Sequence, residues 1–183
     1  SNFFTLALPA GGNVHVNATN IKSGTTINLQ ITQNSTPATM DFADYIKSKD
    51  IKKDKLVKDL IKELEETPKM NPLLPDKQLS DFAKAHAIDM GQSGRTGHNS
   101  SKGKPFRDRI SDLEHHFMAI NENCNYGNED AVDAFIDLLI DRNVPNFGHR
   151  KNILDPEMKL VGVALEPHER WRFNYVQDFG IAK

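Results

Sequence analysis

The pattern of apolar residues changes at Pro37, and this change constrains the fold more than any other feature of the sequence. Upstream, apolar residues alternate with polar ones, as at Val14, Val16 and Ala18, which is the period of a half-buried strand. Downstream, they recur every three or four positions, which is the period of an amphipathic helix. We therefore expect an α+β protein in which residues 1–36 form two or three short strands, as an appendage or the remnant of an upstream domain.

The remaining residues are expected to form one main domain over 54–183, joined to the upstream segment by a linker with a short helix over 37–53. With 38% hydrophobic residues the chain can bury one core of ordinary size. One helix is predicted over 54–66. A second is predicted to begin after Asp76 as N-cap and to end just before Gly91.

The second half of the chain predicts the main strands. Residues 117–126 read as a strand, and a helix with Asn128 as its N-cap is expected to follow. Two later apolar runs, 160–165 and 171–179, predict an antiparallel hairpin. Gly162 is expected where a side chain would crowd a packed neighbour.

Composition excludes several classes of protein. A net charge of −2 and a pI near 6.4 give no overall basic field for nucleic acid, so no nucleic-acid partner is expected. No apolar run reaches the roughly 18 residues of a membrane span. The single cysteine, Cys124, cannot form an intramolecular disulfide and is predicted to be buried and inert. Because the sequence starts at Ser1 rather than at a methionine, an export signal upstream is a hypothesis that the sequence leaves open.

Two glycine–histidine pairs mark the candidate site. Gly97-His98 lies in a long polar loop, and Gly148-His149 opens the segment Gly-His-Arg-Lys-Asn-Ile-Leu. Gly148 is expected to permit a turn that aims the His149 imidazole into a cleft. His86 is predicted to be a core residue on the apolar stripe of a helix. Exposed positions are predicted for three other histidines, His115, His116 and His168.

Asp141 breaks a local rule. It follows an apolar helix near its C-terminus, where a carboxylate opposes the helix dipole at a cost of about 0.3 to 1 kcal/mol. Local rules broken without visible gain often mark functional sites. Asp133 and Asp137 lie on the polar face of the same helix, and Asp133 fits an ordinary solvated surface.

Six short motifs occur in an order that resembles a bacterial SCP-like domain of the CAP superfamily, which includes cysteine-rich secretory proteins, antigen 5 and pathogenesis-related class 1 proteins. The resemblance spans roughly residues 54–180. Its motifs are Gly97-His98, Pro105-Phe106-Arg107-Asp108-Arg109-Ile110, Asn121-Glu122-Asn123, Gly148-His149-Arg150-Lys151-Asn152-Ile153-Leu154, Val161-Gly162-Val163 and Asp178-Phe179-Gly180. The resemblance implies a three-layer α-β-α sandwich with an antiparallel central sheet. It also implies a secreted, periplasmic or cell-surface location.

The resemblance further implies a cavity lined by two histidines and two acids. Matched position by position, these are His98, Glu122, Asp141 and His149, with Asp137 as the alternative for the second acid. Asn121 stands where the family usually has glycine, and Arg150-Lys151-Asn152 replaces the eukaryotic signature, so the sequence resembles the bacterial branch.

Two imidazoles with one or two carboxylates form a donor set that suits Zn²⁺ or another divalent metal. Without metal, the same groups would form a hydrogen-bonded network. The sequence favours a binding module for an unknown lipid, glycan or peptide, or for an extracellular partner. The alternative is a metal-assisted hydrolase with Glu122 as general base, and a Cys124 nucleophile is a weaker variant. Whether the protein is an enzyme is left open.

Overall fold

The structure is a computed structural model that describes residues 2–8, 12–18, 27–33, 36–68, 70 and 73–183, with side chains from Tyr45 onward in those ranges. Its first four strands pair in sequence order, each antiparallel to the next: β1 (Asn2–Leu8), β2 (Gly12–Ala18), β3 (Ile27–Gln33) and β4 (Thr36–Asp41).

β1, β2 and β3 lie within residues 1–36, which agrees with the two or three strands predicted there. The alternating run of Val14, Val16 and Ala18 lies in β2, as predicted. Strand β4 begins at Thr36 and was not predicted because it contains Pro37, which lacks a backbone N–H donor and therefore argues against a strand. Proline is tolerated here because β4 lies at the edge of the sheet. β4 runs across Pro37. The division of the chain into an upstream segment and a main domain at this residue stays a prediction.

Six α-helices are described: α1 (Phe42–Ser48), α2 (Lys55–Glu66), α3 (Lys77–Ser93), α4 (Phe106–Arg109), α5 (Ala131–Ile140) and α6 (Gly148–Ile153). Asp76 caps α3 as predicted, because its side chain accepts a hydrogen bond from the Leu79 N–H. None of the helices in the described part of the chain has the length and apolar character of a membrane span.

The second sheet is built from β5 (Leu74–Pro75), β6 (Phe117–Tyr126), β7 (Leu160–His168) and β8 (Arg172–Ala182), in the order β5-β7-β8-β6. The predicted strand over 117–126 and the predicted hairpin are confirmed. The three long strands are antiparallel, and the two-residue β5 adds a parallel edge. β6 therefore forms the opposite edge of this sheet.

Helices cover both faces of the second sheet, which gives the α-β-α sandwich. On one face Ala83 and Ala87 of α3 pack against Ala164 and Val176. Gly162 lets α3 approach, since a Cβ there would lie 2.0 Å from the Leu79 carbonyl carbon, so the predicted crowding is confirmed. On the other face α2 and α5 contribute to a larger apolar cluster with strand residues of β7 and β8.

Two predicted helix boundaries were wrong. α3 does not end just before Gly91 but continues to Ser93, and Gly94 takes the left-handed conformation at its C-cap (φ 64°). Gly91 is needed inside the helix because a Cβ there would lie 2.1 Å from the Pro167 carbonyl oxygen. The N-cap of α5 is Asp130 rather than Asn128, since the Asp130 carboxylate accepts two backbone N–H groups of the first turn.

His168 was predicted to be exposed and is instead buried. Its Nε2 donates to the Arg95 carbonyl, and its Nδ1 accepts from the backbone N–H groups of Arg170 and Trp171. The imidazole thus organises the β7–β8 turn and ties it to the end of α3, a role that turn position alone does not indicate.

Candidate functional site

His98 and Glu122 form the first pair of the candidate site. The His98 Nδ1 lies 2.9 Å from Glu122 Oε1, and a carboxylate can only accept, so Nδ1 carries the proton. The Glu122 side chain is 1% exposed, whereas that of His98 is 46% exposed. Among the described residues, the His98 Nε2 has no hydrogen-bond partner.

Arg109 holds this pair in place. Its guanidinium donates to both oxygens of Glu122 at 2.9 Å and also to the carbonyl of His98. The guanidinium lies over the rings of Phe82 and Phe106, 4.8 and 5.6 Å from their centroids. Burial alone would raise the pKa of Glu122, but the hydrogen bonds from His98 and Arg109 outweigh it and hold this pKa below its ordinary value.

Asp178 faces Glu122 directly across the β6–β8 pairing. It is fully buried, and both of its carboxyl oxygens lack a hydrogen-bond partner among the described residues. Burial, and next the neighbouring Glu122 carboxylate, raise the pKa of Asp178 well above its ordinary value. Of two adjacent carboxyls, one is therefore ionised against Arg109 and the other is held as the neutral acid.

This assignment predicts that Asp178→Asn stabilises the protein near neutral pH. A raised folded-state pKa means that the native state binds a proton which the unfolded chain releases, so wild-type stability falls as pH rises above the ordinary pKa of aspartate. Asparagine mimics the neutral acid and removes this dependence. Urea unfolding at about pH 4 and about pH 7 should show a smaller loss of stability in the variant. An unchanged pH dependence would contradict the neutral assignment.

His149 and Asp141 form the second pair. The His149 Nδ1 lies 2.8 Å from Asp141 Oδ1, while Asp141 Oδ2 accepts the backbone N–H groups of His149 and Arg150. Asp141 is the C-cap of α5 in the left-handed conformation (φ 58°). Its unfavourable place at the end of α5 is thereby offset, because the carboxylate caps the start of α6 and orients an imidazole.

The turn before His149 is not made by Gly148, and that expectation was wrong. Gly148 has ordinary helical angles (φ −62°, ψ −42°), whereas Asn146 and Phe147 carry the positive φ values of 61° and 53°. The Phe147 ring lies 4.3 Å from the guanidinium carbon of Arg150.

The buried side chain of Arg150 holds this turn in place. It is 1% exposed, and its guanidinium donates to the carbonyls of Leu139 and Ile140 at the end of α5 and to the carboxylate of Glu63 on α2. The segment that carries His149 is therefore fixed to two helices by one buried side chain.

The two pairs reach the same point of the edge strand β6 from opposite faces. Glu122 points to the α3 side, and the next residue, Asn123, points to the other side and donates to the His149 carbonyl at 3.1 Å. Asn152 in turn donates to the Asn123 side chain at 2.8 Å. Asp137 contacts neither imidazole: it is exposed and accepts from Asn125.

The site contains residues whose roles sequence reasoning missed. Arg109 and Asp178 lie in the recognised motifs, but nothing in the sequence shows that they meet at Glu122. His86 and Cys124 also border this carboxylate, and with Glu122 they form the one group of three ligand atoms within 4.8 Å of one another among the described residues.

The His86, Glu122 and Cys124 group is a closed polar cluster and not an open metal site. His86 Nε2 donates to the Gly97 carbonyl at 2.9 Å, and Arg109 occupies both oxygens of Glu122. His86 is buried as predicted, and burial lowers its pKa. Burial also raises the pKa of the Cys124 thiol, which is consistent with the predicted inert cysteine.

Comparison with known proteins identifies the class. Residues 58–179 match the CAP family, described as the cysteine-rich secretory protein family. This match spans more than half of the chain, and the chain therefore belongs to the CAP family. No curated protein sequence matches it.

Two solved structures share the fold. An outer surface protein from Borrelia burgdorferi is 23% identical with a TM-score of 0.50, and the alignment covers 62% of this chain and 80% of that one. An extracellular protein containing an SCP domain from Bacillus anthracis is 18% identical with a TM-score of 0.51, covering 99% of this chain and 67% of that one. At these identities the likeness establishes the fold and no activity.

Proposed function

We propose that this chain is a secreted or surface-exposed binding module whose ligand contacts the Nε2 atoms of His98 and His149. The observation that carries this proposal is shared by both histidines: a buried carboxylate engages Nδ1, and Nε2 has no hydrogen-bond partner among the described residues. The exposed location is supported by the two structural neighbours, one an outer surface protein and one an extracellular protein.

A divalent metal such as Zn²⁺ is the first ligand that this arrangement suits. Histidines that bind metal commonly donate their other ring N–H to a carboxylate, which fixes the tautomer and the orientation of the ring. In this proposal His98 and His149 each offer Nε2 as a metal ligand. Glu122 and Asp141 orient them, because their oxygens are already engaged by His98, Arg109 and backbone N–H groups.

The contacts of Glu122 disfavour the alternative hydrolase. A general base must reach the proton that it removes and have a pKa near the working pH. Glu122 is 1% exposed, both oxygens bind Arg109, and its pKa is lowered. A binding role for the site therefore agrees better with its geometry than a hydrolytic one with Glu122 as the base.

Calorimetry with Zn²⁺ tests the proposal. The wild-type protein should bind Zn²⁺, and the double variant His98→Ala/His149→Ala should lose the heat of binding. The matched control His115→Ala/His116→Ala removes two exposed histidines elsewhere and should bind as the wild type does. Asp141→Asn should weaken binding by about 10-fold to 100-fold, since it removes an orienting partner.

Equal heats from the wild type and the His98/His149 double variant would remove these histidines from the binding site. Absence of any heat from the wild type would remove the metal from the proposal. Turnover of casein, peptidoglycan or an ester that disappears in Glu122→Gln while the fold survives would replace the binding module by the hydrolase.

A further inference from the structure

Residues 47–62 carry a concentration of positive charge that the chain as a whole does not have. This stretch contains seven lysines and three aspartates, a net charge of +4, in a chain whose net charge is −2. All seven lysines are exposed. They lie on the last turns of α1, the loop after it and the outer face of α2, and we refer to them as the lysine patch.

Most of this charge is not compensated within the molecule. In the described part of the chain, Lys49 pairs with Asp133, and Lys62 lies 3.9 Å from Glu66. Asp54 is engaged as the N-cap of α2. Five lysines have no ion pair with any described side chain: Lys47, Lys52, Lys53, Lys55 and Lys58.

The lysine patch also opposes the dipole of α2. The first turn of this helix contains no acidic residue, although acids are favoured there and cations are disfavoured. Instead Lys55 begins the helix, and Lys52 and Lys53 precede its acidic N-cap, Asp54. Asp141 breaks the corresponding rule on α5 and is compensated by its contacts with His149, but none of these three lysines has an ion pair with a described side chain. The missing compensation points to an anionic partner outside the chain.

The composition of the patch indicates the kind of anion. Residues 47–62 contain no arginine and no aromatic residue, whereas nucleic-acid sites favour arginine forks and aromatic stacking platforms. Lysines act as point charges and suit a surface of phosphate headgroups. The apolar face of α2 is buried, with Val57, Leu60 and Leu64 in the core, so this helix has no apolar face left to insert into a bilayer.

We propose that the lysine patch binds the surface of an anionic phospholipid bilayer by electrostatic attraction and without insertion. The proposal rests on the charge and exposure of residues 47–62 and is independent of the His98 and His149 site. It would hold the module against a membrane.

Co-sedimentation with vesicles tests this proposal. The full chain should bind vesicles of equal parts phosphatidylcholine and phosphatidylglycerol at low salt, but not vesicles of phosphatidylcholine alone. Each surface lysine changes partitioning by about fivefold. The variant with all four lysines Lys52, Lys53, Lys55 and Lys58 changed to Gln should therefore bind several hundredfold more weakly. Binding should also disappear at about 1 M salt, where the screening length falls to about 3 Å.

The matched control changes four exposed lysines elsewhere to Gln: Lys102, Lys104, Lys151 and Lys183. It carries the same net charge as the patch variant and should keep most of the wild-type binding. The proposal is overturned if the wild type ignores anionic vesicles at low salt, or if both variants lose binding equally. Stronger binding to duplex DNA than to vesicles of equal phosphate content would assign the patch to nucleic acid instead.

Discussion

Replacing Arg109 by methionine is expected to lower the free energy of unfolding by about 3 to 5 kcal/mol, because it leaves a buried carboxylate without its cation. Glu122 would lose both of its bonds from Arg109 and would face the buried Asp178 with His98 as its remaining partner. Methionine retains much of the packing of Arg109 against the rings of Phe82 and Phe106. The loss of stability therefore measures the removal of the positive charge more than a change in side-chain volume. Urea unfolding at neutral pH measures it.

Arg107→Met is the matched control, since Arg107 is exposed two residues away and substitutions at such positions usually change stability by about 0.5 kcal/mol or less. The Arg109 effect should shrink in acid. A lowered folded-state pKa means that the stability from Glu122 is present above its ordinary pKa and is lost as pH falls through the folded value. A loss below about 1 kcal/mol at neutral pH would show that Glu122 does not depend on Arg109.

The substitution Gly162→Ala is expected to cost about 3 kcal/mol, at the upper end of the range for overpacking. The added Cβ would lie 2.0 Å from the carbonyl carbon of Leu79 and 2.1 Å from the backbone nitrogen of Ser80. Backbone cannot rotate away as a side chain can, so α3 must move off β7. Thermal unfolding followed by circular dichroism measures the loss, and a variant that fails to fold would agree with it.

Gly148→Ala makes the same chemical change where the structure allows it. Gly148 has helical angles, and within the described residues an added Cβ meets only a Val144 methyl at 4.0 Å. This variant should be neutral or more stable by up to about 1 kcal/mol, because alanine restricts the unfolded chain. Equal destabilisation by the two substitutions would mean that α3 does not approach β7 as closely as described.

The spacing of apolar residues, together with the capping and turn residues, was sufficient to predict the long helices and strands of the main domain. The strand over 117–126, the C-terminal hairpin and the start of α3 at Asp76 depend on residues that are neighbours in sequence. Boundaries were less predictable where a distant contact decides them. Gly91 resembles a helix end, yet it lies inside α3 because the Pro167 carbonyl needs the space of a side chain.

In the candidate site, too, the residues could be predicted from the sequence but their contacts could not. Family motifs identified His98, Glu122, Asp141 and His149, but not how they are arranged. The bond between Glu122 and Arg109 joins an edge strand to a short helix, and the position of Asp178 opposite Glu122 depends on the register of two strands. Neither follows from local pattern. The turn was predicted at Gly148 because glycine is the usual residue at a positive φ angle. In the structure the two residues before it, Asn146 and Phe147, carry the positive φ angles instead.

We propose that buried carboxylates hold His98 and His149 with the proton on Nδ1 and leave Nε2 for a ligand. Long-range ¹H–¹⁵N correlation spectra of the labelled protein, assigned with His98→Ala and His149→Ala, test it directly. Both rings should show a protonated Nδ1 and a bare Nε2, and Zn²⁺ should shift the Nε2 signals of these two rings but not those of His115 and His116. Rings that carry the proton on Nε2, or Nε2 signals that Zn²⁺ leaves unchanged, would contradict the account.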